Sequence, residues 1–260
     1  SLNMLVDSVT IENLIADVSY GVSINSNDFV YFEETTPGEE NDSEEFDGVL
    51  ISEVIFSHDG GSLNSPITLS LEAGEDEEIR YTKDRTEPNS SSILYEEPIT
   101  VDVNTIIRAK AYKSDFISAY STTRSYFFNV SHEIPFVSLV TDPYNLFDND
   151  YGIYVYGDDY ESGYPHMGAN FWEDWERPIN FSLYSDQGSL LANYNAGVKI
   201  FGGWSRAQDQ RSLSIFARGG YGISEFEHPF FQDVSYDEFQ SLVLRNSGND
   251  FLYTHFRDAL

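Results

Sequence analysis

Apolar and polar residues alternate through much of this chain, a period of two that reads as strand rather than helix. In Pro66-Ile67-Thr68-Leu69-Ser70-Leu71 the alternation puts Ile67, Leu69 and Leu71 on one face. Residues 79–82, 105–112 and 119–128 continue the pattern, with turn clusters between them at the spacing of an antiparallel β-sandwich. Farther on, 152–156, 179–184, 197–201, 212–216 and 241–244 read as strands, and the acidic, Gly- and Tyr-rich stretch 157–170 as a loop. From Asp250, the residues Phe251, Leu252, His255, Phe256, Ala259 and Leu260 recur at helical spacing and predict the start of a helix. The first residues hold a short apolar run (Leu5, Val6, Val9, Ile11) and a strand candidate at 29–32. Thr36-Pro37-Gly38 and an acidic stretch then form a turn and linker. These breaks predict three segments, 1–43, 44–131 and 132–260. The first has too few apolar positions for its own core and reads as the end of a domain.

Composition changes that picture in three ways. The 44 acidic against 14 basic residues, a net charge of -30, repel nucleic acid and anionic membranes at long range and fit a solvated extracellular surface. With no Cys, disulfides, thiolate metal sites and cysteine nucleophiles are excluded. No apolar run is long enough to span a membrane as a helix.

All three segments resemble known modules. Val6-Asp7-Ser8-Val9, Ser19-Tyr20-Gly21 and Thr36-Pro37-Gly38 resemble the closing strands of a bacterial lamin-tail domain. The string Ile79-Arg80-Tyr81-Thr82-Lys83-Asp84-Arg85, then Pro98-Ile99 and Ile107-Arg108-Ala109-Lys110-Ala111-Tyr112, resembles the chitobiase/β-hexosaminidase C-terminal module, an immunoglobulin-like accessory sandwich. Arg85 stands where that pattern has a turn glycine. Trp175-Glu176-Arg177-Pro178, the run from Ala196 to Arg206, Gln210-Arg211-Ser212-Leu213, the run from Leu244 to Asp250 and Phe256-Arg257-Asp258 resemble the N-terminal part of CotH (spore coat protein H) kinases. The resemblances imply a mainly β, multidomain chain: Ig-like sandwiches followed by the β-rich N-terminal part of an α+β kinase-like domain.

Phosphoryl transfer needs groups that neutralise phosphate oxygens, acidic Mg²⁺ ligands and a carboxylate for the nucleophile. The basic residues Lys199, Arg206, Arg211, Arg218, Arg245 and Arg257 cluster in the third segment, beside a Gly202-Gly203 pair that fits a phosphate loop or a hairpin turn equally. By resemblance, Arg206, Arg211 and Arg257 are the candidate nucleotide-phosphate contacts. The alternatives are a surface strand position for Arg211 and pairing with Asp250 or Asp258 for Arg257. The family's catalytic Asp and its W-D-Y-D metal motif have no counterpart here. The expectation is therefore ATP and Mg as cofactors of a longer parent, none for this chain alone, and no phosphate transfer by it.

Asp142, Asp148 and Asp150 with Asn145 and Asn149, and separately Asp158, Asp159 and Glu161, offer oxygen ligands, but their spacing does not fit a Ca²⁺ loop and favours hydrated turns. His58, His132, His166, His228 and His255 show no zinc spacing. Tyr160, Tyr164, Trp172 and Trp175 are sugar-stacking candidates, with ordinary packing as the alternative. Three functions follow: a secreted or cell-surface protein of the CotH kinase family, a structural or adhesive protein that assembles with itself or with extracellular or coat proteins, or a carbohydrate-binding accessory module.

Overall fold

The computed structural model describes residues 8–11, 15, 18–130, 133–231 and 233–247, and these are mainly strand. The helix expected from Asp250 onward lies outside the described residues, as do Leu5 and Val6. Three antiparallel strands come first: β1 (Ser19–Val22), β2 (Phe29–Phe32) and β3 (Glu45–Phe46), in that order. Tyr31 of this sheet packs with Val49 and Ile117 of the next unit.

That unit contains β4 (Gly48–Leu50), β5 (Ile55–Phe56), β6 (Gly61–Leu63), β7 (Ile67–Leu69), β8 (Leu71–Glu72) and β9 (Glu78–Thr82). β10 (Ile93–Leu94), β11 (Ile99–Val101), β12 (Thr105–Tyr112), β13 (Phe116–Ser118) and β14 (Thr122–Phe128) complete it. One layer is the sheet β10-β9-β12-β14-β6. Facing it are the short pairs β7-β11 and β5-β8. Phe56, Leu69, Leu71, Ile99 and Val101 meet Ile79, Ile107, Ala109, Ala111 and Tyr126 in one apolar core. The run 66–71, expected as one strand, changes partner at Ser70: β7 pairs with β11 and β8 with β5. Leu69 and Leu71 still point inward, because a break at one polar residue preserves the period. Two pairings, β14 with β6 and β13 with β4, are parallel, where an antiparallel sandwich was expected. Parallel neighbours need long crossovers, which alternation within a strand cannot reveal.

Beyond Phe128 a meander of five antiparallel strands, β15 (Phe136–Val140), β16 (Arg177–Tyr184), β17 (Leu190–Phe201), β18 (Ser212–Phe216) and, last in the sheet, β21 (Ser241–Leu244), forms a second sheet. The hairpin β19 (Phe226–Glu227) and β20 (Glu238–Phe239) lies between the last two. Ile179, Phe181, Ala196, Val198, Ile200 and Ile215 line one face of this sheet and pack with Ile153, Phe171 and Phe226. The residues 152–156, expected as a strand, form turns instead. A short helix, α1 (Pro143–Phe147), takes their hydrogen bonds: Ile153 donates to Asn145 O at 3.1 Å and Tyr154 to Leu146 O at 2.9 Å.

The opposite face of the second sheet is polar and covered. Asn180 and Ser182 of β16 sit across from Asn195 and Asn193 of β17, and the sandwich strand β14 lies over them. Asn193 Nδ2 donates to Thr123 O at 3.2 Å, and Arg124 Nη1 donates back to Asn193 Oδ1 at 3.1 Å. Asn195 Nδ2 donates to Ser121 O at 2.9 Å. At one end the joint turns aromatic, where Phe127, Phe136 and Tyr184 stack and edge against one another. There Ser62 N donates to Gly188 O at 2.9 Å, and Gly61 sits at φ +103 with no room for a Cβ beside that carbonyl. Only glycine satisfies both conditions at position 61 cheaply.

Candidate functional site

β17 ends at Phe201, and Gly202 at φ +116 turns the chain into a short 3₁₀ segment, Trp204–Ala207, before β18 begins. Arg206 is thereby folded back: its Nε donates to Gly202 O at 2.7 Å and Nη1 to Trp172 O at 3.2 Å. Next to it, a cleft of about 430 Å³ is lined by Gly202, Gly203, Ser205, Arg206, Ser212 and Arg245, with Phe201 and Asn246 closing it. Asn246 fixes the floor. Its Nδ2 donates to Gln208 Oε1 at 3.0 Å, its Oδ1 accepts from Ser212 Oγ at 2.8 Å, and its N–H donates to Ser212 Oγ at 3.0 Å. The motif reading included Asn246 in a string but gave it no role; its pairing with Ser212 joins residues 34 apart and leaves no local signal.

Arg211 does not line this cleft. It is buried behind Arg206, donating from Nε to Arg206 O at 2.6 Å, with its guanidinium 4.1 Å from the Phe171 ring centroid and 4.6 Å from that of Tyr154. Among the described residues neither Arg206 nor Arg211 forms an ion pair with a carboxylate. Carbonyl oxygens hold Arg206, and a carbonyl and two ring faces hold Arg211, so no described carboxylate neutralises either charge. Arg257, the third candidate, lies outside the described residues. Of the other basic residues, Lys199 pairs with Asp174 at 3.2 Å and Arg218 with Glu176 at 2.8 Å, and Arg245 is among the residues that line the cleft.

The acidic candidates form turns. Asp142 caps α1 by accepting from Tyr144 N at 2.9 Å, and Asp148 accepts from Asp150 N and Tyr151 N, both at 3.0 Å. Asn149 Nδ2 donates to Asp158 Oδ1 at 2.7 Å, and Asn145 Nδ2 to Thr141 Oγ1 at 2.7 Å. Among the described residues no three His, Asp or Glu converge as a metal site. His132 and His255 lie outside the described residues. The aromatic candidates divide: Trp172 and Trp175 pack against the core beneath the second sheet, whereas Tyr160 and Tyr164 are exposed, Tyr164 beside Trp204.

The sandwich holds the turn in which Arg85 replaces glycine. Arg85 adopts φ +77, the conformation a glycine would supply, and its carbonyl accepts from Arg108 Nη1 at 2.9 Å. Asp84 braces the turn by accepting from Thr86 Oγ1 at 2.6 Å and Thr86 N at 3.1 Å, and these bonds hold its carboxyl below the ordinary aspartate value.

Residues 58–123 match the family model of the chitobiase/beta-hexosaminidase C-terminal domain. The sandwich is similar to that module. The match runs from just before β6 into the first residues of β14, and leaves β4 and β5 outside it. No curated protein and no solved structure matches the chain. Among the described residues no helix is long and apolar enough to cross a membrane.

Proposed function

We propose that the protein carrying this chain is a secreted or cell-surface modular protein of the CotH kinase family. In this reading the chitobiase-type sandwich is a rigid accessory unit, and residues 132–260 are the phosphate-gripping, β-rich lobe. The observation that carries it is the cleft beside Gly202-Gly203, where Arg206 enters a strongly acidic protein with its charge uncompensated by any described carboxylate. Arg206 contacts nucleotide phosphate and Arg211 fixes the backbone that presents it, while Arg257 is a phosphate contact by resemblance alone. ATP with Mg is the cofactor of the whole protein. Support for the accessory role comes from the polar joint, where Asn193 and Asn195 of the lobe bond to backbone carbonyls of the sandwich and Arg124 bonds back to Asn193.

Calorimetric titration of Mg-ATP into this chain, and into the natural protein with whatever flanking sequence it has, tests the reading. Binding that falls about tenfold or more in Arg206→Ala, roughly 1.4 kcal/mol, is the expected result. Absence of binding in both would remove the kinase reading and leave the structural one, in which the rigid joint serves self-assembly or contact with extracellular or coat proteins.

A further inference from the structure

Two hollows open at the joint, away from the Gly202–Asn246 cleft. One is about 620 Å³ and the other about 710 Å³, sizes typical of small-molecule sites. Tyr120, Ser121, Asn195 and Tyr221 belong to the walls of both, so the two are compartments of one depression built by the sandwich and the second sheet together.

The charges in its wall cancel. Arg108 and Lys110 both pair with Glu87, which also accepts from Ser121 Oγ at 3.1 Å. Arg218 Nε lies 2.8 and 2.9 Å from the two oxygens of Glu176, and Tyr221 OH donates to Glu176 Oε1 at 3.2 Å. Asp142 is occupied in capping α1. Across both hollows Arg108, Lys110, Arg124 and Arg218 stand against Glu53, Glu87, Asp142 and Glu176, so a charged ligand finds no net surplus of either sign. Two donors are left over. Arg108, which lines the smaller hollow, and Arg124, which lines the larger, each have a buried Nε without a hydrogen-bond partner among the described residues. Buried donors of this kind call for an acceptor. Gly197 leaves the space that Glu176 and Tyr221 fill, since a Cβ there would come within 2.3 Å of one and 2.7 Å of the other.

We propose that this depression binds a short, uncharged oligosaccharide, its ring faces on Tyr120 and Tyr221 and its hydroxyl groups on the amide of Asn195 and the paired side chains of the wall. A neutral ligand suits a wall whose ions already satisfy one another, and a hydroxyl-rich one suits fixed planar donors and acceptors beside aromatic faces. The protein's negative field repels acidic glycans from the same place. The inference is independent of the phosphate cleft.

The test is calorimetry with chitotetraose, cellotetraose, maltotetraose and xylotetraose, each at low and high salt. At least one binds, with an affinity indifferent to salt, and Tyr120→Ala and Tyr221→Ala each weaken it about tenfold or more. Ser224→Trp, at an exposed position in the wall of the larger hollow, also weakens it without removing any wall bond, which covers the case of a tyrosine variant that melts early. Arg206→Ala leaves it unchanged, which separates this site from the phosphate cleft. No binding by any of the four at about 5 mM, or binding untouched by all three wall variants, overturns the proposal. So does preference for an acidic oligosaccharide or for Mg-ATP lost on Arg218→Ala.

Discussion

The sandwich core and the joint are both buried, yet they are made of opposite materials. In the sandwich, Leu69, Ile107, Val101 and Tyr126 interlock with almost no polar atom among them, apart from the Tyr126 hydroxyl, which reaches His58 O at 2.9 Å. In the joint, Asn180 and Ser182 are as deeply buried and hydrogen-bond to each other and to Asn193, while the buried Ser125 Oγ pairs with Ser138 Oγ. A dry core is stabilised in proportion to apolar area and tolerates rearrangement. A polar layer gains little per bond, about 1 kcal/mol net, but loses more when one partner is missing. The joint thus fixes orientation more than it adds stability.

The largest expected effect tests the dry half. Leu69→Ala should cost roughly 2–5 kcal/mol in denaturant unfolding, because it removes a fully buried side chain and leaves a cavity. All three tryptophans, Trp172, Trp175 and Trp204, belong to the second unit, so their emission reports on it alone. If the joint couples the units, Leu69→Ala shifts the tryptophan transition along with the far-UV signal; if the tryptophan curve stays put, the two halves unfold separately.

Asn193→Ala attacks the polar half. It strands Arg124 Nη1 from its side-chain acceptor and leaves Asn180 and Ser182 short of a partner, for a loss of about 1–3 kcal/mol and a split into two calorimetric transitions. A single transition at the wild-type temperature would mean that the aromatic end of the joint carries the coupling.

Arg85→Gly should stabilise the sandwich by about 1 kcal/mol, since the left-handed conformation strains any residue with a Cβ. Thermal unfolding reads this directly, and a drop instead would show that the Arg85 side chain contributes more than its backbone strain.

The smallest effect is one of pH. The folded carboxyl of Asp84 titrates below the unfolded one, so its contribution is complete above the ordinary aspartate value of about 3.9 and is lost as pH falls through the folded value. Asp84→Asn should therefore flatten the acid limb of the sandwich's stability curve slightly while leaving its neutral-pH shape unchanged.

Alternation located β7 with β8, β9, β12 and β14 of the sandwich, and β16, the end of β17, β18 and β21 of the second sheet, because a half-buried strand must repeat every second residue. It missed β15 and the short strands β4, β5, β6, β10, β11 and β13. It placed 105–112 as β12 and 212–216 as β18. It failed at 152–156, where an apolar run gives its N–H groups to a five-residue helix instead of a neighbouring strand. The clustering of basic residues in the third segment was visible too, but not that Arg206 would line a cleft while Arg211 stayed behind it, since a burial difference between residues five apart depends on the turn at Gly202.

What the sequence determined by itself is local and periodic: the positions of the longer strands, the inward set Ile67, Leu69 and Leu71, the module spanning 58–123, and a net charge of one sign. The tertiary structure decided the fate of the polar face. Asn180, Ser182, Asn193 and Asn195 follow the same alternation as any solvent-facing set, and nothing in their order says that β14 will cover them. Burial of such a face depends on partners 70 and 74 residues away that accept from the amides of Asn193 and Asn195, a property of three-dimensional pairing that no run of adjacent residues encodes.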